Sequence, residues 1–544
     1  METMIKDYKL PIFVFFFVLL ALVFLKSIIF GLDGLSLWMP LVSEFTRGRY
    51  VDSDVIFGGQ NLLSIYGALP VWYLFKLIGL NPVQFINLSY FVSLLFIYLP
   101  TQIIFNGLSS AKGWRPQLLI LAYVILSPII INRVYAGHLN LIFGIIPLLV
   151  SLAMLYQNSK WFDLFSIIAL THAFCIQDYQ IIIYHFFYVP ILFAWMRVTN
   201  VSSKKYFIRL LSVTMIAIFF SLPVLNQMFF HAISENNLRG NENVVYSYVI
   251  STLWDIPNLF FSSFMPSFSR NNSFLFHELN YPLGVTLFSF YLTPERFRKL
   301  FIIVSISIFS LVLFSANIPP FNFLSNLPLV EIFRVPQRSL MLPVFLLPLF
   351  MFSSWGNYLN SKFLVSAFSF FVIGNYNSIL GVGLTFICGI VLFFNLLKKR
   401  SDIFFGMAFS TLFFGLPMKL DYISRSNDDF FKNLRFINDI NDKLNISKKD
   451  GVIYFANPFN LHHISAANYL GIATFQGYGH PPKKLFQDAK RFFDISYSPT
   501  INDFNLTQFE NNPSFQQSLA ELGFGAILYF DANGVLNLKN LHAK

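Results

Sequence analysis

A lone carboxylate lies between two glycines where the first apolar stretch of the chain ends. In the segment IIFGLDGLSLWMP, Asp33 stands between Gly31 and Gly34. An acid at a helix boundary ordinarily caps a helix. It can also act as a general base, because a carboxylate accepts a proton from a hydroxyl held within hydrogen-bonding distance. The glycines would leave room for a substrate to approach, so both interpretations stay open.

The segment that follows Asp33 favours the second interpretation, because it is long for a connector and rich in ionisable side chains. These are Glu44, Arg47, Arg49, Asp52 and Asp54.

Two further clusters place ionisable residues among apolar ones. The segment NRVYAGHLNLIFG carries Arg133 and His138 in a short turn, and HAFCIQDYQIIIYH carries His172, Asp178 and His185. Within a membrane such groups cost about 3 kcal/mol each unless they are paired or line a wet cavity. His138 is explained equally well as a satisfied interfacial histidine, and Asp178 as part of an exposed polar turn.

A fourth cluster, LPLVEIFRVPQRSLMLP, places Arg334 and Arg338 four residues apart just before an apolar stretch, with Glu331 upstream. Residues at this spacing share a helix face. Guanidinium groups bind phosphate oxygens in bidentate geometry, so the pair suits a phosphate or pyrophosphate. Anchoring to lipid headgroups is an equally good explanation.

The composition indicates that these clusters belong to a polytopic α-helical membrane protein. The 544 residues are 55% hydrophobic and 12% charged, with a mean hydropathy of +0.59; soluble domains contain roughly 25% charged residues. The net charge of +11 comes from short basic clusters between apolar runs, which argues against a nucleic-acid-binding face. The two cysteines, Cys175 and Cys388, provide no disulfide framework.

Apolar runs long enough to cross a bilayer recur as far as Met418 and predict about thirteen transmembrane helices. We place them near residues 9–30, 83–106, 117–132, 139–157, 162–176, 180–196, 208–230, 281–293, 300–316, 339–356, 363–375, 377–397 and 403–418. The first run has no cleavage site for a signal peptidase, so we expect it to be retained as a helix.

Basic residues collect in alternate connections, which predicts that those connections face the cytoplasm. They are the connections that contain Lys112 and Arg115, Lys160, Arg197 to Arg209, Arg296 to Lys299, Lys362, and Lys398 to Arg400. The N-terminus is then cytoplasmic, and the four clusters described above face the opposite side. This topology requires residues 62–80, which contain Pro70 and Lys76, to form a re-entrant or interfacial segment.

Two outer loops and a C-terminal domain complete the predicted organisation. The loops cover residues 31–82 and 231–280, and in the first one residues 35–45 show helical spacing with Trp38 near the start. We expect that helix to lie flat on the membrane and to hold Asp33 in place. After the membrane region, residues 1–418, a polar segment of residues 419–544 alternates β-rich runs such as GVIYFANP and GFGAILYFDANG with helical patterns such as SFQQSLAELG. These patterns predict an extracytoplasmic α/β domain.

Four short segments resemble the GT-C class of integral-membrane glycosyltransferases, and in particular its YfhO-like bacterial branch. They are GLDG, FGGQNLLSIYGALPVWYLF, AGHLNLIFGIIPLLV and FRVPQR, and the terminal LAELGFGAILYF resembles the closing segment of that branch. The chain departs from the pattern at Gln60, and it lacks the paired acids of other GT-C members. A divalent metal therefore remains open but unsupported, and no other cofactor is indicated.

The resemblance implies transfer of a sugar from a polyprenyl-phosphate-linked donor to a cell-envelope glycan, such as O-antigen or lipopolysaccharide, on the outer face of a bacterial inner membrane. Asp33 would be the general base, and Arg334 and Arg338 would bind the phosphate. Substrate contacts would come from Glu44, Asp52, Asp54, Arg133, His138 and Asp178. A flippase or transporter for lipid-linked saccharides and a polysaccharide polymerase remain alternatives, although the internal repeats typical of transporters are not evident.

Overall fold

A computed structural model describes the chain over a series of segments separated by gaps. The described residues are 18, 21, 27–31, 34–48, 52–53, 60–61, 70–109, 114–176, 185, 188–234, 290, 293–314, 336–355, 360–376, 401–413, 416–446, 450–456, 459, 461–474, 477–478, 488, 503–504 and 515–541. The chain divides into two compact units. The helical unit comprises Met1–Val23, Tyr90–Ser221 and Tyr246–Asp421; the mixed unit comprises Phe24–Ser89, Leu222–Val245 and Tyr422–Lys544.

The described elements are mainly helices. In chain order they are a π-helical turn Gly34–Trp38, α1 Met39–Thr46, β1 Asp52–Ser53, β2 Gln60–Asn61, α2 Pro70–Leu77, α3 Pro82–Leu108, α4 Trp114–Leu126, α5 Pro128–Ala136, α6 Leu139–Gly144, α7 Ile146–Ala153, α8 Lys160–Ile176, α9 Val189–Thr199, α10 Ser203–Ser234, α11 Glu295–Phe314, a 3₁₀ turn Pro336–Leu340, α12 Met341–Trp355, α13 Ser361–Tyr376, α14 Ser401–Thr411, α15 Leu416–Leu444, β3 Val452–Phe455, α16 Leu461–Leu470, β4 Gly477–Tyr478, β5 Asp503–Phe504, α17 Phe515–Leu522, β6 Phe524–Phe530 and β7 Leu536–Asn540.

Three described helices are long and apolar enough to cross a membrane. They are Pro82–Leu108, Trp114–Ala136 and Ser203–Asn226. Shorter apolar helices occupy most of the other predicted spans, and residues 377–397 and nearly all of 9–30 and 281–293 lie outside the described part. The predicted total of about thirteen spans therefore stays a prediction. The last predicted span, 403–418, is two helices, because α14 ends at Thr411 and α15 begins at Leu416.

Polar side chains inside the helical unit bond to nearby backbone carbonyls. The hydroxyls of Thr101 and Ser166 donate to the carbonyls of Ile97 and Phe162, four residues earlier, at 2.7 and 2.6 Å. Tyr123 donates across to the carbonyl of Phe345 at 3.0 Å and so ties α4 to α12. Such bonds satisfy polar groups where apolar surroundings provide no water.

The mixed unit contains a three-stranded sheet with the order β3, β6, β7. Strands β3 and β6 are parallel, and β6 and β7 are antiparallel, with Leu528 opposite Leu538. Helices α15 and α16 pack on the sheet through a core that includes Ile437, Ile453 and Ile464. The predicted strands in GVIYFANP and GFGAILYFDANG and the predicted helix in SFQQSLAELG are confirmed.

The helix predicted to lie flat on the membrane, α1, is instead enclosed by protein. Every residue from Met39 to Phe45 is buried. Trp72 of α2 meets Trp38 and Phe45 in edge-to-face contacts with ring centroids 6.5 and 5.6 Å apart, and its indole N–H donates to Ser89 at 2.7 Å. The expectation failed because both the apolar side chains and the small polar ones of α1 are covered by neighbouring elements, so no side of the helix is left for lipid.

Residues 24–89 and 422–544 belong to one compact unit, and the predicted domain boundary at residue 418 lies inside the continuous helix α15. One amide links the two ends of the sequence. Asn427 accepts the N–H of Ile28 at 2.8 Å and donates to the carbonyls of Ile28 at 2.7 Å and Phe30 at 3.3 Å. The separate C-terminal domain thus stays a prediction.

We expect Asn427→Ala to destabilise the mixed unit, because it removes three hydrogen bonds to the backbone of residues 28 and 30. A typical hydrogen bond contributes about 0.5–1.5 kcal/mol, so the loss of three predicts a fall of about 2–4 kcal/mol in the free energy of unfolding. Thermal unfolding of the purified chain in detergent measures the change. Asn438→Ala, on the exposed side of the same helix, is the matched control. An equal shift for both variants would contradict the prediction.

Candidate functional site

Helix α5 carries Asn132 and Arg133, both wholly buried, so the prediction that Arg133 lies in the short turn is wrong; only His138 follows the helix, because the helical backbone bonds continue to Ala136. The helix ends at Ala136, and Gly137 follows with a φ of 77°, a left-handed conformation that other residues rarely adopt. The Gly137 N–H donates to the carbonyl of Val134 at 3.1 Å, and the His138 N–H donates to that of Arg133 at 2.8 Å. This turn holds half-buried His138 directly after α5.

Lys419, near the C-terminal end of the helical unit in sequence, contacts this cluster. Its ammonium donates to Asn132 Oδ1 at 2.5 Å, across 287 positions of sequence, and the side chain is only 2% exposed. A buried lysine is rare unless its charge is stabilised. The sequence did not identify Lys419 as a site residue, because the residue was assigned to the start of a polar domain. Its position directly after the last apolar run could have indicated that it lies at the end of the helical region.

Burial changes the acid–base behaviour of Lys419. Loss of hydration lowers the pKa of its ammonium to about 7, because a cation is less stable away from water. Lys419 follows the last predicted span and belongs to α15, which is not among the helices long and apolar enough to cross a membrane. A lysine of this kind changes charge near neutral pH, and a bound anion would favour its protonated form.

Arg338 lies in the 3₁₀ turn that begins at Pro336, and it is half-buried. The next residue, Ser339, accepts a hydrogen bond at its carbonyl from the Tyr188 hydroxyl at 2.5 Å. The Tyr188 ring in turn meets the His185 imidazole edge-to-face, with centroids 5.7 Å apart. Two clusters that are distant in sequence, the one with His185 and the one with Arg338, are therefore neighbours.

His172, by contrast, has the contacts of a structural histidine. Its Nδ1 lies 2.9 Å from the carbonyl of Ile168, one turn earlier on α8. Its ring packs edge-to-face against Phe96 at 5.2 Å, and the side chain is buried. The contact between the two rings packs α8 against α3.

In the mixed unit, Glu44 is wholly buried on α1 and forms an ion pair with Arg47 Nη1 at 2.8 Å. The other Arg47 nitrogen donates to the carbonyl of Tyr469, which also accepts the Ser43 hydroxyl at 2.9 Å. Gly471, with a φ of 94°, leaves room for the guanidinium, since a Cβ there would lie 3.3 Å from Arg47 Cζ. These contacts join α1 to the end of α16, and the substrate contact predicted for Glu44 stays a prediction.

The other predicted site residues are only partly described. Asp52 lies in strand β1, paired with Asn61 of β2. The remaining ones fall outside the described residues: Asp33, Asp54, Asp178 and Arg334. Among the residues that the structure does describe, no three His, Cys, Asp or Glu side chains are grouped so that they could hold a metal ion.

No protein-family model matches the chain, and no curated protein matches it. Weak likenesses to solved structures include ArnT from Cupriavidus metallidurans bound to undecaprenyl phosphate, with 12% identity over 98% of both chains and a TM-score of 0.47. The apo form of ArnT gives 13% identity over 94% of both chains and a TM-score of 0.45. An Archaeoglobus fulgidus oligosaccharyltransferase in complex with Zn and sulfate gives 12% identity over 97% of this chain and 73% of the other, with a TM-score of 0.33. With TM-scores below 0.5, these likenesses assign neither a fold nor an activity to the chain.

Proposed function

We propose that this protein is a membrane glycosyltransferase that moves a sugar from a polyprenyl-phosphate-linked donor to a cell-envelope glycan. The observation that carries the proposal is that the helical unit encloses two cationic side chains, Lys419, which bonds to Asn132, and wholly buried Arg133, the next residue after Asn132. Enclosed cations attract an anion such as the phosphate of a lipid-linked donor strongly, because protein surroundings screen their charge less than water does.

The proposed roles of the side chains follow from the charges that develop during sugar transfer. The acceptor hydroxyl oxygen forms a bond to the anomeric carbon of the donor, and the bond from that carbon to the phosphate oxygen breaks. Asp33 takes the hydroxyl proton, and the polyprenyl phosphate leaves with the bonding electron pair. Cations close to the leaving oxygen stabilise its growing negative charge, as preorganised electrostatic groups do in enzymes.

The phosphate-binding set we propose is therefore larger than the arginine pair of the sequence analysis. Lys419 and Arg133 join Arg334 and Arg338. Asn132 is a positioning residue, since its carbonyl oxygen orients the lysine ammonium without contacting the substrate. Asp52, Asp54, Glu44, His138 and Asp178 remain proposed substrate contacts.

Contacts within the helical unit support the proposed outward-facing topology. Lys419 and Asn132 end two predicted spans on the outer side, and they touch each other. At the predicted cytoplasmic side, Arg209 Nε donates to Asp163 at 2.7 Å, and Asn360 donates to Asp402 at 3.1 Å. In each pair, the distribution of basic residues assigns both partners to the same side of the membrane. A bundle of antiparallel spans requires this agreement.

A flippase for lipid-linked saccharides would use the same cations to guide a phosphate, but it has no need of a base. A polysaccharide polymerase would need both. The two enzyme classes are separated by their products, because a transferase that adds side branches changes the sugar content at constant chain length and a polymerase changes the chain length.

Replacing Asp33 by Asn should abolish transfer, because the amide cannot accept the hydroxyl proton. The measurement is mass spectrometry of cell-envelope glycans from a strain that lacks the gene and is complemented with each variant. We expect the parent chain to restore the sugar addition and Asp33→Asn to give the glycan of the deletion strain at equal protein abundance in the membrane. Asp439→Asn, an exposed acid of α15, is the control. Full activity of Asp33→Asn would refute the assignment of the base.

Lys419→Met should weaken binding of polyprenyl phosphate to the purified chain, and it should also change the pH dependence. With a pKa of about 7 in the free protein, Lys419 loses its charge as the pH rises. Affinity of the parent chain should then fall about tenfold per pH unit above neutrality, whereas that of the variant should stay nearly level.

Binding is measured by tryptophan fluorescence titration from about pH 6 to pH 9. Lys443→Met, an exposed lysine on the same helix, should behave as the parent chain does, and thermal unfolding checks that both variants are folded. A Lys419→Met variant with the affinity and pH profile of the parent would exclude Lys419 from the phosphate site.

Variants that each carry one added cysteine test the proposed topology. A cysteine at Ala532, in the exposed turn between β6 and β7, should react with a small charged maleimide in intact cells. One at Lys205, in an exposed and predicted cytoplasmic connection, should react only after the membrane is permeabilised. The parent chain sets the background from Cys175 and Cys388. The reverse pattern would overturn the outward orientation.

A further inference from the structure

The mixed unit contains a cleft of about 220 Å³ between α15, α16 and the π-helical turn after Asp33. Seven residues line it: Leu35, Tyr422, Arg425, Ser426, Asp429, Phe430 and His462. None of them belongs to the predicted site or to the proposed phosphate-binding set.

The spacing of the five lining residues from α15 explains how one helix builds a wall of the cleft. Positions 422, 425, 426, 429 and 430 follow the i, i+3, i+4, i+7, i+8 pattern of a single helix face. Asn427 lies beside this face, three positions before Phe430, and its amide donates to the backbone carbonyls of residues 28 and 30. These bonds help to hold α15 in the rotation that turns its lining residues towards the cleft.

The cleft is apolar at its floor and polar at its rim. Leu35 and Phe430 are 3% and 2% exposed and form the floor, while Arg425 and Asp429 are exposed at the rim. The rim presents hydrogen-bond donors from the guanidinium, acceptors from the carboxylate, and hydroxyls of Ser426 and Tyr422 that act as both. A pyranose ring has the complementary character, with an apolar face and an edge of hydroxyls.

We propose that this cleft binds one sugar unit of the acceptor glycan. Its volume supports a single ring, since pockets for drug-sized molecules are roughly 300–1,000 Å³ and a longer saccharide would extend beyond the walls. The charges of Arg425 and Asp429 balance, which suits a neutral ligand better than a phosphate.

His462 is suited to the same ligand. Burial lowers the pKa of its imidazole, and the nearby Asp429 carboxylate opposes this shift without cancelling it. At neutral pH the ring is therefore uncharged and offers one donor and one acceptor to sugar hydroxyls. The adjacent His463 does not line the cleft and packs its ring against Phe436 at 5.6 Å.

The assignment of the ligand as acceptor rests on the proposed glycosyltransferase function. Leu35, which contributes to the floor of the cleft, is only two residues after the proposed base Asp33 in the sequence. Binding of the sugar itself needs no donor and no transfer.

The test is saturation-transfer NMR of the purified full-length chain in detergent with a panel of methyl glycosides of hexoses, pentoses and N-acetylhexosamines. We expect at least one glycoside to bind the parent chain. Asp429→Asn and His462→Gln should lower its affinity at least fivefold, and the neighbouring Asp428→Asn and His463→Gln should leave it unchanged. Asp428 and Asp429 are both exposed, so neither substitution should prevent folding.

Two outcomes would overturn the subsite: no glycoside in the panel binds, or Asp429→Asn and His462→Gln bind as the parent chain does. Asp33→Asn separates this result from the proposed function, because it should lose transfer in cells and keep glycoside binding. If glycosides bind at the cleft while Asp33→Asn retains full transfer, the subsite stands and the assignment of the base fails.

Discussion

The hydrogen bond between the Lys419 ammonium and Asn132 is the interaction on which the polar interior of the helical unit depends. An ammonium without water or a partner is unstable in apolar surroundings by several kcal/mol. The amide oxygen of Asn132 supplies a partner without adding a negative charge. An aspartate at position 132 would pair with the lysine and weaken its attraction for an anion. A neutral partner is consistent with the phosphate contact proposed for Lys419.

In the mixed unit, too, one asparagine side chain satisfies buried polar groups, but here these are backbone groups and not a charged side chain. After the first apolar stretch the chain is not helical at residues 28–30, so no helix satisfies its N–H and carbonyl groups. Asn427 satisfies several of them with one side chain and at the same time sets the rotation of α15. The same rotation turns Arg425 and Asp429 towards the cleft. Stability and the proposed sugar contact therefore depend on one helix orientation.

Sequence patterns were most successful where they rest on local physics. Strand β6 was predicted from its β-branched and aromatic residues. They failed for α1, whose amphipathic spacing suggested a membrane surface although the helix is enclosed by protein. Periodicity reports which residues avoid water. It does not distinguish lipid from protein as the environment that replaces water.

The sequence by itself determined the helical, apolar character of the chain, the alternation of its basic connections, and the presence of Arg133 and His138 among apolar residues. All of these depend on composition and short-range spacing. Only the tertiary structure placed Lys419 on Asn132, grouped residues 24–89 with 422–544, and formed the cleft around Phe430. These contacts join positions hundreds of residues apart. They depend on how whole helices pack, and no short-range pattern encodes that packing.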